Sequence, residues 1–393
     1  MDQAERPASH PFHRDGPTWF LYLVLAVFGF QQSVLGSVLP FLRQELGFDT
    51  IRVGWHFTWY AAGLVASGLL AGQLLKRLPI NLLVRGSAIA MVAAVLSITQ
   101  AANFAGTLAA AAAMGLSGGV VQAAVQAGLA WHQPGHRDMA MVEAFVFAGI
   151  GVFSGPLLVG QLAAYGLSWR MALLASALIL AVVMLLPGPS ARSDASRPSA
   201  RAAAIPLAVA LCWLTVLLGI GAEWGIGFWG AQFLQIRLGL NPPQAVSLMS
   251  VFFGGTVFGR IVSSRLLAIF DGRNMLFSVI LLGCCAILAL WGSGHAVVTV
   301  FALALAGMCL GNFFPLIISN AIRLEPAHVG LISVGSTQAV GVSLLVVPIV
   351  LGYVGQSAGL INAIGMLAAL PLLMAAACLA ASQRHLLPHK ATF

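Results

Sequence analysis

A glutamate, an arginine and several carboxamides lie inside long apolar stretches of this 393-residue chain. Each needs a reason, because an ionised group in hydrocarbon costs on the order of 3 kcal/mol or more. Glu223 falls in Gly219-Ile-Gly221-Ala-Glu223-Trp224-Gly-Ile-Gly227-Phe-Trp229. A carboxyl there is a candidate proton carrier or substrate contact; it can also serve as the structural partner of a neighbouring donor. Arg260 lies about 16 Å inward of the loop residue Asp271 along a helix. Its guanidinium is charged at any pH, so it can hold an anion, pair with a carboxylate or cap carbonyls of a neighbouring helix. The residue alone leaves these roles open. Glu143, soon after Asp138, reads as a gate or as a partner for nearby arginines. Gln31, Gln32, Gln122, Gln126, Asn312 and Gln338 complete the set. Amides donate and accept, which suits polyol or amide solutes without fixing their charge. The alternative is helix-to-helix bonding at about 0.6 kcal/mol per contact. Gln122 and Gln126, four apart, share one helix face. With Glu223 and Trp224 these amides form the candidate substrate site.

The elements that position them are twelve apolar runs. They span 18–42, 54–75, 82–102, 104–131, 139–165 and 168–187, then 204–234, 243–269, 274–294, 296–322, 327–354 and 357–382. Each is about long enough to cross a bilayer. Composition agrees: 60% hydrophobic and 8% charged, with mean hydropathy +0.95. Lipid offers backbone groups no hydrogen bonds, so the runs should be helices. The short alternating strands of a β-barrel are missing from the pattern. The expected organisation is a 1–17 tail, a six-helix bundle over 18–187, a polar linker over 188–203, a second bundle over 204–382 and a 383–393 tail.

Charge sorts by side. Lys76, Arg77, Arg85, Arg265, Arg273 and Arg323 fall with both tails on one side; Arg43, Arg52, Arg170 and Arg237 fall on the other. Basic residues stay cytoplasmic during insertion, which predicts both termini in the cytoplasm of a multi-pass protein of the cell (inner) membrane. The net charge of +8 is thus a topology signal. No basic face points to nucleic acid. The first 17 residues lack the features of a cleaved signal. Cys212, Cys284, Cys285, Cys309 and Cys378 lie in apolar runs without metal-ligand spacing. Trp55, Trp59 and Trp229 are candidates for an interfacial belt. No phosphate-binding G-x-x-x-x-G-K-[ST] loop is present, so no nucleotide cofactor is expected.

The two halves echo each other. Gly68-Leu-Leu-Ala-Gly72, followed by Lys76-Arg77, parallels Gly259-Arg260-Ile-Val-Ser263, followed by Arg265 and Asp271-Gly272-Arg273. Small residues four apart let helices approach closely in lipid, and a six-helix unit used twice is the usual plan of a secondary transporter. The fifth run carries Gly151-Val-Phe-Ser-Gly155-Pro156-Leu-Leu-Val-Gly160, and Trp169-Arg170 opens the sixth. Over nearly its whole length the chain resembles the major facilitator superfamily. Within it, the Glu223 stretch, Phe252-Phe253-Gly254-Gly255 with Gly259-Arg260, and the Lys76-Arg77 pair are similar to the fucose/hexose–proton symporters. That branch's acids in helices 1 and 4 are absent. Gly36 stands four before Pro40, and Gly115 to Gln126 contains no carboxylate.

The resemblance implies an all-α fold of 12 transmembrane helices in two pseudo-symmetric bundles. It implies alternating access, a cavity lined by helices 1, 4, 7 and 10, and proton-coupled uptake of a sugar-like solute by a monomer. Lys76, Arg77, Arg265 and Asp271 would latch the cytoplasmic side. The Gly155-Pro156 kink also resembles drug–proton antiporters, so export is the alternative. Two remote readings are a membrane-embedded enzyme, built on His132, His136, Asp138 and Glu143, and a non-transporting sensor. Pro134-Gly135 breaks the helix between the two histidines, which weakens a metal site.

Overall fold

The computed structural model describes residues 13–133, 136–189, 205–267, 269–325 and 328–384. Most of the 188–203 linker, much of both tails and the Asp138 side chain lie outside the described residues. The first half contains α1 (Gly16–Leu46), α2 (Thr50–Arg77), α3 (Ile80–Gln100), α4 (Phe104–His132), α5 (Arg137–Ala164) and α6 (Arg170–Val183). The second contains α7 (Leu207–Leu238), α8 (Pro242–Leu266), α9 (Gly272–Gly292), α10 (Ala296–Leu310), α11 (Phe313–Leu324), α12 (Val329–Ala358), α13 (Leu360–Met366) and α14 (Ala369–Arg384). Eleven stretches are long and apolar enough to cross a membrane; α6 is the shorter twelfth. The tenth crossing is α10 plus α11, and the last is α13 plus α14.

Polar punctuation sets the ends. Asp15, Asp49, Asn103, Asn241 and Asp271 cap helix N-termini with their side chains, satisfying donors that the first turn leaves free. Gly47 and Gly239, at φ 66° and 67°, stop α1 and α7 in the left-handed conformation that glycine tolerates.

The repeat is visible in packing. In the first half Gly63 meets the Ala112 backbone, Gly115 meets the Tyr60 backbone, and Gly119 meets Ser67. In the second half Gly255 meets the Ala304 backbone, Gly307 meets the Phe252 backbone, and Gly259 meets the Met308 backbone. Gly63, Ser67, Gly115, Gly119 and Pro156 correspond at one constant offset to Gly255, Gly259, Gly307, Gly311 and Pro348. Gln31 and Gln32 correspond to Glu223 and Trp224 at that same offset. The expected pairing of Gly68 with Gly259 is therefore off by one residue. Gly68 and Gly72, expected to seat a neighbour, have nothing within 4 Å. The close approach of α2 to α4 uses Gly63 one to two turns earlier.

The halves meet along one end only. Gly36 of α1 packs on the Gly227 carbonyl and Phe228, and Gly54 of α2 on Pro348 and Gly352. Thr58 donates to the Leu345 carbonyl at 3.0 Å, and Arg43 to Gln232 at 3.1 Å. On the other flank Gly160 of α5 packs on Ser247 of α8, and Gly254 on Phe153. Toward the opposite end the same faces are bare. Val142, Phe145 and Val146 of α5, Phe258 and Ile261 of α8, and Leu69 and Leu70 of α2 are all exposed. The seam is thus sealed where α1 ends and parted where α2 ends.

Candidate functional site

Position along each helix decides which polar side chains meet the seam. On α1, Gln32 lies four residues before Gly36, on the stripe that touches α7, and is half-buried. Gln31, one position away, is 3% exposed with both amide atoms unpartnered, so it turns into the first half. On α4, Gln122 and Gln126 are half-buried. They follow Gly118, which abuts Phe28 of α1, and Gly119, which abuts Ser67 of α2, so they continue the face between those two helices.

On α7, Trp224 and Phe228 lie one turn apart and face the seam. Phe228 stacks on Phe57 of α2 with centroids 4.4 Å apart, and Tyr60 meets it edge-on at 6.4 Å. Trp224 lies 5.0 Å from Phe228 and 6.2 Å from Phe253 of α8. Glu223 occupies the adjacent stripe. Gly219, one turn before it, packs on Phe313 and Met374, and Gly230, two turns after, on Met249. Glu223 therefore points into the second half, toward α8 and the α10–α11 break, at 9% exposure.

Arg260 donates through Nε to the Gly311 carbonyl at 3.2 Å. That carbonyl belongs to the break between α10 and α11, where backbone acceptors lose their helical partners. Asn312 lies in the break as well, 3% exposed, its amide donating to the Met308 carbonyl at 2.7 Å. Gly311 is needed there because a methyl group would fall 2.7 Å from the Thr256 Cβ. Arg260 and Asn312 thus gather at one interruption in an otherwise regular helix, and Glu223 lies one turn along α7 from Gly219, which packs on Phe313 at that break.

Several expected site residues lie elsewhere. Gln338 is exposed; three and seven residues before Gly341 and Leu345, which meet Val65 and Thr58 of α2, it continues that face of α12 toward the parted end. Glu143 is held by Arg14 at 2.6 and 2.9 Å and by the Tyr22 hydroxyl at 3.1 Å, fastening α5 to the start of α1. His132 bonds Asp15 at 2.7 Å. Asp271 pairs with Arg323 of the same half at 2.6 Å, while Lys76, Arg77 and Arg265 are exposed, and no ion pair among the described residues joins the halves at the parted end. Gly155 seats Ser33 of α1, and Pro156 is buried beside it within α5. Trp229, expected at an interface, is fully buried and donates to the Pro348 carbonyl at 3.1 Å. The proline at 348 releases the Leu344 carbonyl one turn earlier, and the indole donates to the proline's own carbonyl beside that bend. Sequence reasoning also missed Phe57, Tyr60, Phe228 and the Arg43–Gln232 bond. Phe228 was legible as the residue one turn beyond Trp224.

A sequence profile of the Major Facilitator Superfamily matches residues 21–334. No curated protein matches the chain significantly. Among solved structures, the chain is similar to a bacterial homolog to the human lysosomal transporter Spinster, in an inward-facing and occupied conformation. The TM-score is 0.76 at 13% identity, covering 93% of this chain and 96% of that one. The nucleoside transporter NupG gives 0.73 at 15% identity, covering 94% and 98%. A variant of the peptide transporter POT gives 0.76 at 14% identity, covering 93% and 94%.

Proposed function

Because the chain belongs to the Major Facilitator Superfamily, a family of multi-pass membrane transporters rather than enzymes, we propose that it moves a small polar solute by alternating access. The observation that carries this is the one-sided seam: two halves sealed at one end and parted at the other, with polar residues at mid-depth. Rocking about that level would exchange the open end. By the charge asymmetry of the loops, the parted end is cytoplasmic and the membrane is the cell membrane. The protein acts as a monomer of two six-helix bundles joined by the 188–203 linker.

Gln32, Gln122 and Gln126 offer donors and acceptors to the solute, and Trp224 offers a ring face for a sugar-like body. Glu223 is the proton-coupling group, acting from beside the path through the α10–α11 break. Gln31 and Asn312 are buried supports of the two walls. Gln338 adds a further amide on the α12 side, nearer the parted end. The branch resemblance favours uptake with protons. A metabolite or drug exporter is the second reading, favoured by the aromatic wall of Trp224, Phe228 and Phe253.

Reconstituted vesicles test this. With a solute identified by thermal-shift screening, Glu223→Gln should abolish pH-driven accumulation yet leave exchange between equal pools. Accumulation at the wild-type level would remove Glu223 from coupling. Absence of any counterflow in the wild type would remove transport itself.

A further inference from the structure

A cleft of about 440 Å³ opens on the seam at the sealed end. Both halves build it. Arg43 comes from α1, Thr50 from α2 and Ile236 from α7, and Gly355 with Ala358 to Asn362 form the corner between α12 and α13. We propose that this cleft binds a small carboxylate with a short apolar tail, at a site separate from the mid-depth path.

The donor inventory argues for a carboxylate. Arg43 is the charged side chain in the lining. Its Nη1 donates to Gln232 Oε1 at 3.1 Å. The Gln232 amide nitrogen is buried and has no partner, in a residue that is 3% exposed. Arg43 Nε and Nη2 likewise have no partner among the described residues. Arg43 therefore brings unspent charged donors to the cleft with the Gln232 amide behind it, and a carboxylate is acceptor-only when ionised. Neighbouring acids are already engaged. Glu45 is held by Arg170 at 2.6 and 3.1 Å and by the Trp169 indole at 2.9 Å. Asp49 accepts from the Arg52 backbone at 2.7 Å. Asn362 accepts from Trp291 and donates to the Ala358 carbonyl.

The rest of the lining takes a tail: Ile236, Ala358, Leu360 and Ile361 are apolar. The volume lies within the range of about 300–1,000 Å³ typical of small-molecule sites, ample for a six-carbon acid. The walls belong to different halves, so the cleft exists only while this end is sealed. A bound carboxylate then favours the sealed state by its differential affinity. That consequence rests on the alternating-access reading; the binding does not.

Calorimetry on the full chain in nanodiscs of zwitterionic lipid tests it, with hexanoate as probe. Hexanoate should bind saturably, and acetate and 1-hexanol each about tenfold more weakly or less. Arg43→Gln should weaken hexanoate by about tenfold or more. Ile361→Trp, which fills the cleft and spares Arg43, should do the same. Glu223→Gln should leave hexanoate affinity unchanged, whatever it does to transport. Absence of saturable binding, or wild-type affinity in folded Ile361→Trp, would overturn the proposal. So would loss of binding in Glu223→Gln, which would place the probe in the central path.

Discussion

A methyl group added at Gly115 would overlap the Tyr60 carbonyl, whereas one at Gly72 would meet nothing within 4 Å. Gly115→Ala should therefore cost about 1–3 kcal/mol, since two backbones must move apart. Gly72→Ala should be neutral or gain up to about 1 kcal/mol from helix propensity. Thermal unfolding in detergent distinguishes them, and equal losses would sink the packing account. Residue type alone gives no way to rank these glycines. Charge behaves similarly at Asp271, where the Arg323 hydrogen bond holds the carboxyl below its ordinary value. The link therefore contributes above the ordinary carboxylate range and is lost as pH falls through the depressed value. Melting temperatures of the wild type and Asp271→Asn should differ near neutrality and converge in acid. A gap that persists in acid would show that the ion pair is not responsible.

Two elements depart from regular helix, and each receives a side-chain hydrogen bond at the departure. At the α10–α11 break, Arg260 caps the Gly311 carbonyl. Arg260→Ala should cost about 1.5–3 kcal/mol, the value of a hydrogen bond to a charged group. At Pro348, the Trp229 indole supplies the donor. Trp229→Phe keeps most of the packing and should cost about 1 kcal/mol. If it also speeds thiol labelling at the sealed end, the indole bond helps hold that end shut; unchanged labelling would confine its role to α7 and α12. The proline at 348 was readable as a bend, being the counterpart of Pro156. That Trp229 turns inward was not. An indole near a helix end suits a membrane interface equally well until a buried acceptor is placed beside it.

Across the whole molecule, the seam makes one direct prediction. Cysteines at Gly54 and Gly352 should cross-link, because a Cβ at either would lie 3.6 Å from the Cα of the other. The cross-link should stop counterflow, and reductant should restore it. Transport that continues through the locked end would refute alternating access between these halves.

Membrane residence, the twelve crossings and the doubling of one six-helix plan were written in the sequence, because lipid forces hydrogen-bonded helices and sorts charge by side. The polar residues worth attention were written there too, since buried carboxyls and amides stand out against apolar runs. Their directions were not. A one-residue step along a helix turns a side chain by about 100°, so Gln32 meets the seam while Gln31 is sealed in its own half. Which end of the seam closes, and therefore where Arg43 and Gln232 leave their donors empty, was decided only when two distant helices came to lie side by side.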